Sequence, residues 1–231
     1  MATPRPARPA ALLDVDGTLV DSNDAHARAF VEAFGELGMQ GPFERVRRLI
    51  GKGGDKLIPE VTGRAEEEWV KEVGERKNEA FFSRHFDAIR PFPRVRELLE
   101  RMKDAGLALV VATSAKQEEM ERLLGIAGVN DLFDEEATKD DAKRSKPDPD
   151  IIGAALKRAG IDASQAIMLG DTPYDVEAAR RAGVETVGFE SGGWKANDLA
   201  GAVAVYADAA ALLRDFDASP FARLAGKRRA A

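Results

Sequence analysis

The sequence predicts an α/β fold, a three-layer core in which helices cover both faces of a parallel β-sheet, with one helical segment inserted. Short apolar segments alternate along the chain with segments whose apolar residues recur at helical spacing. The apolar segments are nearly continuous, which is typical of parallel strands buried on both faces. Strands are predicted at residues 10–13, 107–112, 166–169, 184–188 and 202–205. Helices are predicted between them, at residues 94–105, 116–124, 149–159 and 174–182.

The alternation is interrupted once, after the first strand. Residues 23–92 show a helical pattern without a convincing strand, and Pro91 and Pro93 mark the end of this stretch. Its helical segments are predicted at residues 27–37, 44–50 and 66–86. We expect it to form a cap over the carboxyl edge of the sheet, which is where ligands bind in open parallel sheets.

The predicted core domain therefore comprises residues 9–22 and 93–216. Residues 1–8 and 217–231 are predicted to be tails, because no clear element follows residue 216. Both tails are rich in Ala or Pro, so we expect their charges to be solvated rather than to form binding arms. The basic residues concerned are Arg5, Arg8, Lys227, Arg228 and Arg229.

Composition limits the classes of function. The chain has 231 residues, of which 44% are apolar, and this is enough for a substantial core. Charged residues make up 32%, and the formal net charge is -6. That balance gives no reason to expect a nucleic acid or an anionic membrane as a partner.

The chain has no cysteine and two histidines, which excludes disulfides and thiolate chemistry and makes a histidine-rich zinc site implausible. No apolar run reaches the roughly 18 residues of a membrane span, and the first residues lack the apolar core of a secretory signal. We therefore expect a soluble, cytoplasmic protein. A monomer is expected, because no coiled-coil seam is visible.

The segment Asp14-Val15-Asp16-Gly17-Thr18-Leu19 is the most informative motif, and it directly follows the first predicted strand. Where the chain leaves the strand, two carboxylates can converge on a cleft, one to attack and the other to move a proton. Gly17 relaxes the backbone there and Thr18 offers a hydroxyl, and both are predicted to lie at the substrate and phosphate site. Asp and Gly also favour ordinary turns, but three matching elements downstream favour chemistry.

Two of those elements carry a hydroxyl or a cation. Thr113 and Ser114 follow the second predicted strand, where a hydroxyl can donate to a phosphoryl oxygen, although the pair is also an ordinary helix cap. Lys146 precedes Pro147, which restricts it to an extended conformation, so its ammonium can orient a nucleophile and neutralise phosphate charge. The neighbouring cations lack this rigid setting; they are Lys139, Lys143 and Arg144.

The last element is acidic. Asp171 ends an apolar strand and Asp175 begins the next helix, where the helix dipole also favours a carboxylate. Mg²⁺ prefers octahedral oxygen ligation, for which Asp14, Asp171 and the backbone carbonyl of Asp16 are a suitable set. Asp175 is expected to ligate the metal directly or to support its ligands.

In this order, the four elements resemble the motifs of the haloacid dehalogenase superfamily. The resemblance covers residues 9–213 and includes the insertion, which is similar to the C1 cap of the phosphoglycolate phosphatase and β-phosphoglucomutase-like branch. It implies a Rossmann-like core and a Mg²⁺-dependent phosphatase acting on a small phosphorylated metabolite. The resemblance further implies that Asp14 attacks phosphorus to form an aspartyl-phosphate, and that Asp16 is the general acid and base. Thr113 and Lys146 would hold phosphate oxygens, and Asp14 and Asp171 would hold Mg²⁺.

Other activities within the superfamily remain open. Haloalkanoate dehalogenases lack an acid at the position of Asp16, so its presence favours phosphoryl transfer. Phosphonate hydrolysis would use a cap lysine, for which Lys52 and Lys56 in the predicted loop 51–56 are candidates. A sugar phosphomutase is the third alternative. His26 lies five residues after Asp21, as a matching histidine does in β-phosphoglucomutase-like proteins, but the cap arginine of those mutases has no clear counterpart in residues 51–56.

The cap contributes two further candidates for substrate binding. The glycine-rich loop 51–56 is predicted to set substrate choice, with Lys52 meeting a second anionic group or simply facing solvent. His26 is either a proton relay or a packing residue at the cap hinge, and His85 is expected to be structural or solvated. A non-catalytic phospho-ligand-binding module is a different class, which Mg²⁺-dependent release of phosphate from a phosphoester would exclude.

Overall fold

Six parallel strands form one sheet, and the computed structural model describes residues 8–226. The strands are β1 Ala10–Leu13, β2 Ala108–Ala112, β3 Glu135–Ala137, β4 Ala166–Gly170, β5 Glu185–Phe189 and β6 Ala204–Tyr206. Their spatial order is β3-β2-β1-β4-β5-β6. Every neighbouring pair is parallel, so the predicted α/β fold with a parallel sheet is confirmed.

The first strand lies at the centre of the sheet. Leu13 of β1 is in register with Val111 of β2 on one side and with Leu169 of β4 on the other. The strand order reverses between β1 and β4, and ligands of such sheets bind in the crevice at that reversal. The first and last motifs therefore meet there, because each follows one of these two strands.

Helices cover both faces of the sheet. Successive side chains of a strand point to opposite faces, so Leu12 and Leu13 enter two different apolar clusters. The helices of the core are α5 Val95–Asp104, α6 Gln117–Ala127, α7 Asp150–Ala159, α8 Pro173–Arg181, α9 Ala209–Arg214 and α10 Pro220–Gly226. Four further helices lie between β1 and α5.

Those four helices form the inserted cap. They are α1 Asn23–Glu36, α2 Phe43–Leu49, α3 Gly54–Thr62 and α4 Glu67–Ala80. The cap has its own apolar cluster, in which Phe34, Leu57 and Val73 are fully buried. The helical path of α4 continues through a π-helical turn, Phe81–His85, and Phe81 enters the larger cluster of the core. Turns of this kind are frequent at functional sites.

Three elements differ from the sequence-based expectation. The strand β3 was not predicted, because its sequence Glu-Glu-Ala is not apolar; it pairs through its backbone with β2 at the sheet edge. The cap loop predicted at 51–56 is only partly a loop, since α3 begins at Gly54. The expectation of a tail without an element after residue 216 is wrong for α10. There Phe221 is fully buried and Leu224 nearly so, each burial contributing about 1.5–3 kcal/mol.

The predicted N-terminal tail is described only at its last residue. Arg8 lies 2.5 Å from the carboxylate of Asp134, so its charge is paired at the surface. The other basic residues singled out in the tails lie outside the described residues; they are Arg5, Lys227, Arg228 and Arg229. Within residues 8–226, no helix is long and apolar enough to cross a membrane.

Candidate active site

The first motif leaves β1 in a tight turn packed against the fourth. Asp14 is almost fully buried, and its backbone N–H donates to the carbonyl of Leu169. Gly17 has a positive φ of 74°, and a Cβ there would overlap the Asp171 carboxylate. Thr18 is fully buried, and its hydroxyl donates to Asp171 Oδ1 at 2.9 Å. Gly17 and Thr18, predicted to lie at the substrate and phosphate site, both contact or make room for the Asp171 carboxylate.

Lys146 is the cation of the site and is fully buried. Its Nζ lies 2.8 Å from Asp14 Oδ1 and 2.7 Å from Asp175 Oδ1. Burial alone would lower the pKa of Lys146, but the charges of the two carboxylates outweigh it and raise that pKa above its usual value. Burial also raises the pKa of Asp14 to about 7, against the opposing charge of Lys146. The other candidate cations are engaged or exposed: Lys139 pairs with Asp55, Arg144 with Asp150, and Lys143 is exposed.

Asp175 has a double role. Its Oδ2 accepts hydrogen bonds from the backbone N–H and the hydroxyl of Thr172, at 3.0 and 2.7 Å, and its own N–H donates back to the Thr172 hydroxyl. These contacts form a capping box that begins α8. Because the other carboxylate oxygen faces Lys146, the helix cap holds the lysine in place.

Three carboxylates converge beside this lysine. Oxygen atoms of Asp14, Asp171 and Asp175 lie within 4.8 Å of one another, and all three side chains are buried. Burial, followed by the charges of Asp175 and Asp14, raises the pKa of Asp171 well above its usual value. Asn23 also donates to Asp171 at 3.1 Å. A buried excess of acidic oxygens over cations suits a hard divalent cation such as Mg²⁺.

Asp16 belongs to a separate cluster on the cap side. Ser22 Oγ donates to Asp16 Oδ1, and the same oxygen lies 2.8 Å from His26 Nε2. The imidazole of His26 stacks on Phe81, with ring centroids 4.1 Å apart. Burial alone would raise the pKa of Asp16, but His26 and Ser22 lower it to about 2. The Asp16 side chain is thus grouped with His26 and Glu119 rather than with Asp14, Asp171 and Asp175, and its backbone carbonyl remains the metal ligand predicted from sequence.

The second motif follows β2 and lines a pocket together with Asp14 and Asp16. The Thr113 hydroxyl accepts a hydrogen bond from the N–H of Ala115 at 3.1 Å, which fixes the turn. Ser114 Oγ is buried, and within the described chain it has no hydrogen-bond partner. A buried hydroxyl of this kind is costly unless something else satisfies it, so Ser114 is available to a ligand.

The family model of haloacid dehalogenase-like hydrolases matches residues 11–189. The chain belongs to this family. Pyrophosphatase PpaX of Bacillus velezensis is 31% identical over 181 residues, which are 78% of this chain and 82% of the relative. The phosphoglycolate phosphatase of Caulobacter vibrioides is 32% identical over 179 residues, 75% of this chain and 76% of the relative.

Solved structures agree with this assignment. A hydrolase from Pseudomonas syringae superposes with a TM-score of 0.85 at 30% identity, covering 91% of this chain and 99% of that one. The present chain is therefore an enzyme with phosphatase activity, and the resemblance inferred from its motifs is confirmed.

In the present protein, a small pocket lies where Asp14 and Asp16 meet the cap. It encloses about 90 Å³. Its core wall carries Thr113, Ser114 and Glu119. Its cap wall is formed by His26, Phe30, Ile50, Gly51, Lys52, Gly53, Gly54 and Lys77. Lys77 and Glu119 were not singled out from sequence, since charged residues on amphipathic helices are usually solvated.

The two lysines of the predicted substrate loop are both paired. Lys52 lines the pocket, yet its Nζ contacts Glu60 and lies 4.8 Å from the ring centroid of Tyr174. Lys56 lies 2.7 Å from Asp148 Oδ2, on the core. His85, expected to be structural or solvated, contacts Glu32 at 2.8 Å.

The first turn of α3 is tied to the segment that carries Lys146. Asp55 accepts hydrogen bonds from the hydroxyl and backbone N–H of Ser145, and Lys139 Nζ lies 3.0 Å from the same carboxylate. Lys56 contacts Asp148, as described above. The cap therefore contacts the core on both sides of Lys146, through hydrogen bonds and an ion pair that no sequence motif indicated.

Proposed function

We propose that the protein is a Mg²⁺-dependent phosphatase of small phosphorylated metabolites that works through an aspartyl-phosphate on Asp14. The observation that carries the proposal is the buried ammonium of Lys146, 2.8 Å from Asp14 and 2.7 Å from Asp175, next to the cluster that these carboxylates form with Asp171. The pocket of about 90 Å³ favours a small substrate over a phosphoprotein. We further propose that it acts as a monomer.

The first step is attack by an Asp14 carboxylate oxygen on phosphorus. The new bond joins Asp14 to the phosphoryl group, and the bond from phosphorus to the leaving oxygen breaks. Lys146 holds the attacking carboxylate and, with the hydroxyl of Thr113, would contact phosphoryl oxygens. Mg²⁺, held by Asp14, Asp171 and the Asp16 carbonyl, would supply positive charge that keeps Asp14 ionised and stabilises the phosphoryl oxygens.

Protons would move through Asp16 and His26. In the structure His26 and Ser22 hold Asp16 as a carboxylate, with a pKa of about 2, so it must first receive a proton in order to give one. His26 Nε2, 2.8 Å away, is placed to deliver that proton. Asp16 would protonate the leaving oxygen, then take a proton from the water that cleaves the bond between phosphorus and Asp14.

The test is phosphate release from p-nitrophenyl phosphate and from a panel of phosphorylated metabolites, with Mg²⁺ or with EDTA. We expect turnover only with Mg²⁺, and Asp14→Asn should lower it on the order of 10⁴-fold or more. Asp21→Asn is the matched control, because this carboxylate is exposed and seven residues further along the same segment. Wild-type activity in Asp14→Asn would show that Asp14 is not the nucleophile.

A further inference from the structure

A buried ion pair joins the cap to the core inside the substrate pocket. Lys77 belongs to α4 of the cap, and Glu119 belongs to α6 of the core. Lys77 Nζ lies 3.0 Å from Glu119 Oε2, with both side chains at most 10% exposed. The ammonium also lies 4.6 Å from the ring centroid of Phe81. Both side chains line the cavity in which Asp14 and Asp16 meet the cap.

The charges around the pocket are already balanced on the cap side. Among the described residues that line it, the lysines are Lys52 and Lys77, and each contacts a glutamate, Glu60 or Glu119. His26 is engaged with Asp16. A second anionic group on the substrate would therefore meet compensated cations, and it would lie close to the carboxylate of Glu119. Like charges placed together in a partly desolvated site repel strongly.

Uncharged polar groups, in contrast, would find partners in the same place. Ser114 Oγ is buried, lines the pocket and has no hydrogen-bond partner within residues 8–226. Glu119 Oε1, the oxygen that does not face Lys77, lies 3.8 Å from His26 Nε2, beyond hydrogen-bond distance. A hydroxyl can donate to the carboxylate and accept from Ser114.

We propose that Glu119 is a specificity-determining residue. By neutralising Lys77, it makes the leaving-group side of the pocket select a small uncharged, hydroxyl-bearing group and reject one that carries a second carboxylate or phosphate. The inference rests on the proposed phosphatase activity, and it names the substrate class. It distinguishes this chain from the relative named for phosphoglycolate, a compound with a carboxylate beside its phosphoester.

Two phosphoesters of nearly the same size isolate the charge. In 2-phosphoglycolate the leaving group bears a carboxylate, and in 2-hydroxyethyl phosphate a hydroxymethyl group takes its place. Wild-type enzyme should have a kcat/KM about tenfold or more higher for the hydroxyethyl ester, a factor equivalent to roughly 1.4 kcal/mol. A wild-type preference for phosphoglycolate overturns the proposal without any variant.

Glu119→Gln keeps the shape of the side chain and removes its charge, which leaves Lys77 a buried cation without its counterion. An anionic leaving group should then replace that counterion, so the ratio of kcat/KM should shift about tenfold or more toward phosphoglycolate. Adding Lys77→Met to Glu119→Gln should abolish the shift. Glu118→Gln removes the same charge from the exposed neighbouring position and should leave the ratio unchanged.

p-Nitrophenyl phosphate distinguishes a failure of the proposed phosphatase activity from a failure of the specificity role of Glu119, because its leaving group carries no second anion. If wild-type enzyme with Mg²⁺ does not hydrolyse it or any panel ester, the proposed function is refuted, and this inference with it. If Glu119→Gln hydrolyses it while the phosphoglycolate ratio stays at the wild-type value, only the inference is refuted.

Discussion

Replacing Lys146 with Met should destabilise the metal-free protein in a pH-dependent way. The lysine is fully buried between Asp14 and Asp175, at 2.8 and 2.7 Å, and its removal leaves buried carboxylates without a cation. Removing one partner of a buried ion pair costs about 3–5 kcal/mol. A chain of this size loses about 2–4 °C of Tm per kcal/mol, so Tm should fall by roughly 6–20 °C at pH 8.

The loss should shrink at low pH and in the presence of Mg²⁺. The pKa of Asp14 is already about 7 with Lys146 present, so near pH 5.5 a proton can replace the missing ammonium. The measurement is thermal unfolding at pH 5.5 and pH 8, in EDTA and in Mg²⁺. Lys143→Met, at an exposed position in the same segment, is the control. A Lys146→Met protein that melts at the wild-type temperature at pH 8 in EDTA would refute the electrostatic reasoning.

Three further predictions concern the carboxylates. Asp16→Ala should reduce kcat more for alkyl phosphates than for p-nitrophenyl phosphate, whose leaving group needs little protonation; equal losses would remove Asp16 as the general acid. Folding raises the pKa of Asp14 from 3.8 to about 7, so the native state binds the extra proton between these values and metal-free stability should fall as pH rises through them. Calorimetry should accordingly show a larger gain in Tm from Mg²⁺ at pH 8 than at pH 6, and a gain that is independent of pH would contradict this. A Cβ on Gly192 would overlap the carboxylate of Asp171, so Gly192→Ala should weaken Mg²⁺ activation about tenfold or more, whereas Gly153→Ala, in open space on α7, should not.

The motif residues could be predicted from sequence because each follows a strand of one parallel sheet. Asp14, Thr113 and Asp171 come directly after the apolar runs of β1, β2 and β4, and the carboxyl ends of those strands lie at one edge. The strand order therefore brings these three residues together independently of how the cap packs on the core. Lys146 was identified by its place before proline, and the structure puts it against Asp14.

The cap side of the site could not be predicted in the same way. Lys77 and Glu119 are 42 residues apart on separate amphipathic helices, where a charged residue is usually solvated. Only the packing of the cap on the core reveals that they meet. The sequence motif likewise did not indicate that the Thr18 hydroxyl donates to Asp171, because that contact joins residues 153 positions apart.

The contacts of Asp55 and Lys56 link the position of helix α3 to the segment that carries Lys146. These neighbours in the first turn of α3 hold Ser145 and Asp148, the residues on either side of the Lys146-Pro147 pair. A movement of that helix away from the sheet would break both attachments at once and free the segment that presents the ammonium to Asp14. The lysine would then be less constrained, and the reverse movement would restore the arrangement needed for attack.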